Sequence, residues 1–278
     1  MKLSFSSLSF DEYSIYDMIR VCRDYGYDGI ELRTDHGWAQ LSLTNEELTA
    51  AKAALDEAGI SIIGLGSSVT VRDDFDTALA EYAKNIRFAK LIGARGIRIM
   101  VGTYRHFSTL PILPMDYGKA VQCMQQMCDM GTGNGIELFV ELHNEYDTAA
   151  TVAPLINDIN RPNCKVIWDT LPTLFNGESV DYTYNLLKGR TCHLHIKDGI
   201  TDPNPASLEY IYAPIGAGEV DNAAFISIFE ANGETDMFYS LEWEPRWKPE
   251  LEVLNLRNED VLRDYAIYMK RLYNEITL

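Results

Sequence analysis

Basic residues are scarce in this chain: 24 Lys and Arg stand against 41 Asp and Glu, a formal net charge of −17 with an isoelectric point near 4.6. A protein that grips a phosphate backbone needs a basic surface to displace counterions, so nucleic acid is disfavoured as a partner. Cysteine is nearly as sparse. The five residues (Cys22, Cys123, Cys128, Cys164 and Cys192) are odd in number and contain no C-x-x-C pair. That excludes a disulfide framework and a zinc ribbon, and leaves reduced core thiols in a cytoplasmic setting. No uncharged run reaches the ~18 residues that a membrane helix needs, and no basic segment with a long apolar stretch opens the chain. The expectation is a cytoplasmic protein with no membrane partner. No Pro/Ser-rich linker or low-complexity stretch divides the sequence, so residues 1–278 are expected to form a single domain.

What is present is a rhythm. Strand-like and helix-like segments alternate from Lys2 onward, with strands expected at 2–5, 28–33, 59–65, 96–100, 136–141, 165–169, 192–197 and 237–242. The helical pattern over 11–25 ends at Gly26, a plausible stop. Thr44 with Glu47 reads as a capping box opening the next helix. Further helices are expected over 74–92, 115–131 and 257–275. About eight such βα units predict a (β/α)8 TIM barrel. The rival, a doubly wound open sheet, would place a Gly-rich phosphate loop after the first strand, where this chain has Ser6-Ser7-Leu8-Ser9. The longer loops, 101–114 and 198–220, follow strands and would therefore lie on the barrel's C-terminal face, where active sites are built.

Strand parity then orders the charged residues. Barrel strands alternate between interior and helix layer, so residues two apart share a face. In the fifth strand Leu138, Val140 and Leu142 suit the helix layer, which turns Glu141 and His143 inward. By the same count Asp169 ends the sixth strand, His195 and Lys197 the seventh, and Glu242 the eighth. Three carboxylates converging on one mouth repel each other and raise each other's pKa, a penalty that a bound divalent cation removes. The donor set of three carboxylates and one imidazole suits Mn²⁺, Mg²⁺ or Co²⁺, with Zn²⁺ also compatible.

The segments "GIELR" (29–33), "VELHN" (140–144), "IWDT" (167–170), "HLHIKD" (193–198) and "SLEWE" (240–244) resemble, in order and across nearly the whole chain, the xylose-isomerase-like TIM-barrel superfamily. The resemblance implies that Glu141, Asp169, His195 and Glu242 are the ligands of one divalent metal ion (Mn, Mg, Co or Zn), with Glu141 and Glu242 also the catalytic acid and base. His143 and Lys197 look like substrate contacts. Pro172 stands where the epimerase and endonuclease branches place a histidine three residues after the aspartate. The endonuclease branch also needs more histidines than five in total readily supply.

On this reading the protein is a divalent-metal-dependent isomerase or epimerase of a sugar or related polyol or keto compound, working through proton transfer and a metal-bound cis-enediolate. The alternatives are an inosose-type dehydratase, an endonuclease IV-like metal nuclease and a noncatalytic metabolite-binding barrel. Arg246 could bind a substrate phosphate or carboxylate, and Trp247, Trp38 and Tyr104 could wall the pocket. Glu31 and Arg33 end the second strand, where they touch substrate or pair with each other. The partner expected is a small sugar or polyol. Dimers and tetramers are common among proteins of this kind, and the sequence carries no interface signature of its own.

Overall fold

The computed structural model describes residues 1–103, 114–203 and 210–277. Eight parallel strands form a closed ring: β1 (Lys2–Ser6), β2 (Gly29–Arg33), β3 (Ser61–Gly66), β4 (Gly96–Val101), β5 (Glu137–Glu141), β6 (Cys164–Asp169), β7 (Thr191–Ile196) and β8 (Phe238–Leu241). Each pairs with its neighbours in chain order, β3 meets β4 at Leu65 and Ile97, and β8 closes on β1 through Lys2–Phe238 to Phe5–Leu241. The (β/α)8 expectation holds. The helix expected over 11–25 starts later, at Ile15, and stops at Gly26 as expected, while the Thr44–Glu47 capping box is present, because local capping chemistry sets these ends. Ser14 and Thr44 accept from the backbone N–H groups of Asp17 and Glu47, whose carboxylates bond back, and Gly26 closes its helix in the left-handed region at φ 70°.

Three features went beyond the sequence reading. Helices Ala149–Ile159, Val180–Leu187 and Asn222–Ala231 fill the outer layer. A hairpin of Asp198–Thr201 with Tyr210–Ala213 stands at the C-terminal end of β7. A short strand, Thr70–Val71, extends β4 at the same end.

The helix-facing residues make a continuous apolar layer that includes Leu138, Val140, Trp168, Leu194 and Leu241. The barrel interior is divided by depth. Near the bottom Phe139 fills the space beside Gly64 and Gly96; a Cβ at Gly96 would lie 2.3 Å from its ring. Above it the interior is polar: Glu31, Arg98, Glu141, Asp169, His193, His195 and Glu242 are all at most 6% exposed. Ordinary TIM barrels fill this volume with branched apolar side chains. Burying seven ionisable groups is costly unless they pair with one another or with a ligand.

Candidate functional site

The polar layer is a network in which each cation is shared. His195 on β7 stands at its centre. Its Nε2 lies 2.8 Å from Glu31 Oε2, and since a carboxylate only accepts, that nitrogen carries the proton and donates. The other ring nitrogen, Nδ1, therefore faces the mouth, 2.8 Å from Glu141 Oε1 and 3.1 Å from Glu242 Oε2. Neither Nδ1 nor Glu141 Oε1 has an aligned hydrogen bond. Burial by itself lowers the basicity of His195, but Glu242 and Glu31 outweigh it and hold the ring well above the usual imidazole range.

Arg98 on β4 completes the frame. Its Nη1 is 3.0 Å from Glu141 Oε2 and 3.7 Å from Glu242 Oε1, while its Nε and Nη2 donate to the Ser67 carbonyl. Burial opposes ionisation of Glu141, yet Arg98 prevails and holds it down at about 2. Glu242 is likewise held well below the carboxylate range, where His195 and Lys197 overcome burial. Lys197 Nζ bridges Asp169 Oδ2 and Glu242 Oε2 at 2.7 Å each and reaches Glu244 at 3.2 Å. Asp169 answers differently: burial raises it to about 6 despite Lys197. One layer deeper, His193 Nε2 is 3.9 Å from Glu31 Oε1, and burial pushes His193 down to about 3, so it is neutral.

The donors can be tested against a metal ion. Atoms of Glu141, His195 and Glu242 all lie within 4.8 Å of one another, and a second group of donors comprises Glu31, His193 and His195. Nδ1 and Oε1, neither with an aligned hydrogen bond, converge where a cation would take the place of the Nδ1 proton, and two carboxylate oxygens with one imidazole nitrogen suit Mg²⁺, Mn²⁺, Co²⁺ or Zn²⁺. The residues fit such an ion. Asp169 is the expected ligand that this arrangement leaves outside the cluster, because its carboxylate is turned to Lys197.

A pocket of about 440 Å³ opens onto Glu141 and Glu242 at the C-terminal end of the barrel, lined also by His143, Asn144, Trp247 and Met100. His143 Nδ1 contacts the Asn144 side chain at 2.7 Å, and Asn144 itself adopts φ 58°. Lys197 contributes through Glu242 and does not line the pocket. Arg246 is half exposed and pairs with Asp11 at 2.9 Å, outside the pocket lining. Glu31 lies beneath His195 and does not meet Arg33, which pairs with Asp35 instead. Trp38 packs at the edge of the core, and Tyr104 lies outside the described residues.

The sequence reading assigned no site role to Arg98, His193, Arg72, Glu244 or Lys248. Strand parity already sets His193 on the face of His195 and Glu244 on the face of Glu242, and the same count would have turned Arg98 inward on β4. Arg72 and Lys248 sit on loops, whose course no periodicity reports.

Among known proteins, the chain is 22% identical over 289 residues to the 3-dehydroshikimate dehydratase of Bacillus anthracis, spanning 94% of this chain and 99% of that one. Its fold superposes on the IolI protein with a bound zinc atom (TM-score 0.76, 17% identity, 99% of each chain). It also matches the D-psicose 3-epimerase of Clostridium cellulolyticum H10 in complex with D-tagatose (TM-score 0.73, 14% identity, 99% of each chain). The family model described as xylose isomerase-like TIM barrel matches residues 19–266, most of the length, and the chain belongs to that family.

Proposed function

We propose that this protein is a divalent-metal-dependent enzyme that removes a proton from the carbon beside a carbonyl in a polyol or keto compound. The observation that carries the reading is the pair Glu141 and Glu242: two buried carboxylates, both held ionised, flank the same imidazole and open into one pocket. A base must be ionised and within reach of the substrate, and both glutamates meet these conditions. A divalent ion held by Glu141, His195 and Glu242, with Asp169 as fourth donor after release from Lys197, would stabilise the negative charge that develops on the substrate oxygen.

The chain's own groups do the proton work. One glutamate takes the proton from carbon, and the electron pair left behind moves onto the carbonyl oxygen, giving an enediolate. If the other glutamate first takes up a proton from solvent and passes it to the opposite face, the outcome is epimerisation. If the same residue delivers it to the neighbouring carbon, an aldose and a ketose are exchanged. Arg98 holds the two carboxylates apart and charged, and His143 contacts a substrate hydroxyl from the pocket wall.

A second reading is dehydration, in which the electron pair expels a hydroxyl from the next carbon and that oxygen leaves as water with the proton the glutamate has taken. The full-length match to a 3-dehydroshikimate dehydratase favours it, and Pro172, buried where the epimerase branch places a histidine, departs from the epimerase pattern.

The test is NMR in D₂O with Mn²⁺-loaded protein and a panel of ketoses, inososes, hydroxypyruvate and 3-dehydroshikimate. Deuterium wash-in with retained carbon skeleton marks isomerase or epimerase chemistry, and loss of water marks the dehydratase. Glu141→Gln and Glu242→Gln should each cut exchange by about 10²-fold or more. No exchange and no dehydration across the panel, or undiminished turnover in both variants, overturns the proposal.

A further inference from the structure

The molecule is strongly acidic, yet its pocket is not. Among the described residues, four cations line it, Arg33, Arg72, Arg98 and Lys248, against three carboxylates, Glu141, Glu242 and Glu244. The carboxylates are already engaged: Glu141 and Glu242 face Arg98 and His195, and Glu244 lies against Lys197. The other three cations keep unspent capacity. Arg33 is 8% exposed, and although its two terminal nitrogens are used by Gly66, Ser68 and Asp35, its Nε is buried with no partner. Arg72 Nε lies 3.1 Å from Asp73 without the alignment of a hydrogen bond, and is buried. Lys248 holds its amine 4.2 Å above the Tyr212 ring and, among the described residues, forms no ion pair.

Such an arrangement is costly to keep for a neutral ligand. Unpaired buried donors lose water without recompense, and a surplus of cations in a chain of net charge −17 must be assembled against the field of the rest. A divalent ion at the glutamates would add positive charge on the same side. The cost is recovered when the ligand brings an anion.

We propose that the substrate carries a carboxylate or phosphate group and that Lys248 and Arg72 read it, with Arg33 Nε as a further donor. The inference rests on the enzyme reading above and narrows its substrate class from polyols in general to anionic ones. It also moves anion recognition from Arg246, which is half exposed and committed to Asp11, to residues that line the pocket. Burial holds the Lys248 amine below its ordinary range, and a bound anion would restore it.

The experiment is isothermal titration of the full-length Mn²⁺-loaded protein with D-glucitol, D-gluconate and D-glucitol 6-phosphate, which share a polyol chain and differ at one end. At least one anion should bind about tenfold more tightly than glucitol, the worth of one charge-assisted hydrogen bond. Whichever anion leads identifies the group as carboxylate or phosphate. Lys248→Met and Arg72→Gln should each narrow that gap while leaving Mn²⁺ affinity unchanged. Equal binding of all three ligands, or no binding of either anion, overturns the proposal. So does a gap that survives in the Lys248→Met/Arg72→Gln double variant, because the metal ion would then be reading the anion. Binding is measured apart from turnover, so the two readings fail separately. Deuterium exchange without anion preference sinks only this inference, and anion preference without exchange sinks only the proton-transfer reading.

Discussion

His195 shows how one side chain is given a direction. A free imidazole offers either nitrogen to a metal ion; here the 2.8 Å contact of Nε2 with Glu31 leaves only Nδ1 facing Glu141 and Glu242. Partners of this kind fix ring orientation and tautomer, and their loss typically costs about 10–100-fold in metal affinity. Glu31→Ala should therefore weaken Mn²⁺ binding by about that factor in a calorimetric titration, with the circular dichroism spectrum unchanged. Glu31→Gln, whose amide oxygen still accepts from Nε2, should retain most of the affinity. Unchanged binding in Glu31→Ala would show that packing alone orients the ring. In the sequence Glu31 was visible only as a charged residue ending a strand, and its nearest sequence-based partner was Arg33. The true partner lies 164 residues away, and only closure of the ring brings them together.

At the scale of elements the sequence was most legible where structure is local. Capping boxes satisfy backbone donors within four residues, so Thr44 with Glu47 announces its helix without help from the rest of the chain, while Ser14 with Asp17 forms the same motif inside a segment whose helical pattern was expected from residue 11. Ser14→Ala and Thr44→Ala should each lower stability by ~1 kcal/mol in urea titrations. Hydrogen bonds from the cap serine and threonine hold the Asp17 and Glu47 carboxyls below their ordinary values. A depressed folded-state pKa means stability that is present above the unfolded value and lost as pH falls through the folded one. The destabilising effect of Ser14→Ala and Thr44→Ala should accordingly shrink below about pH 4; an effect constant down to pH 2 would sink the assignment. The hairpin of Asp198–Thr201 and Tyr210–Ala213 was not foreseen. Asp198 anchors its base by accepting from the backbone N–H groups of Gly216, Gly218 and Val220, a contact set that no strand pattern encodes.

For the whole molecule, a polar barrel interior has a thermodynamic consequence. Glu141, Glu242 and His195 are buried with two site atoms unpartnered, so a ligand that satisfies them should stabilise the fold as well as activate it. A divalent ion at 100 times its dissociation constant adds about 2.7 kcal/mol, and the unfolding midpoint should rise by several degrees between EDTA-treated and Mn²⁺-loaded protein. No shift with Mn²⁺, Mg²⁺, Co²⁺ or Zn²⁺ would remove the metal reading. Among the described residues no helix is long and apolar enough to cross a membrane, in line with the absence of apolar runs in the sequence. By itself the sequence determined the alternation of strands and helices, the closed parallel barrel and the inward parity of Glu141, Asp169, His195 and Glu242, because hydrophobic period and capping are short-range properties. Only the tertiary structure decided which charges meet. Arg98 between two glutamates, Lys197 between Asp169 and Glu242, Glu31 beneath His195 and Lys248 over Tyr212 all join separate elements, and their pairing is set by the circumference and depth of the barrel.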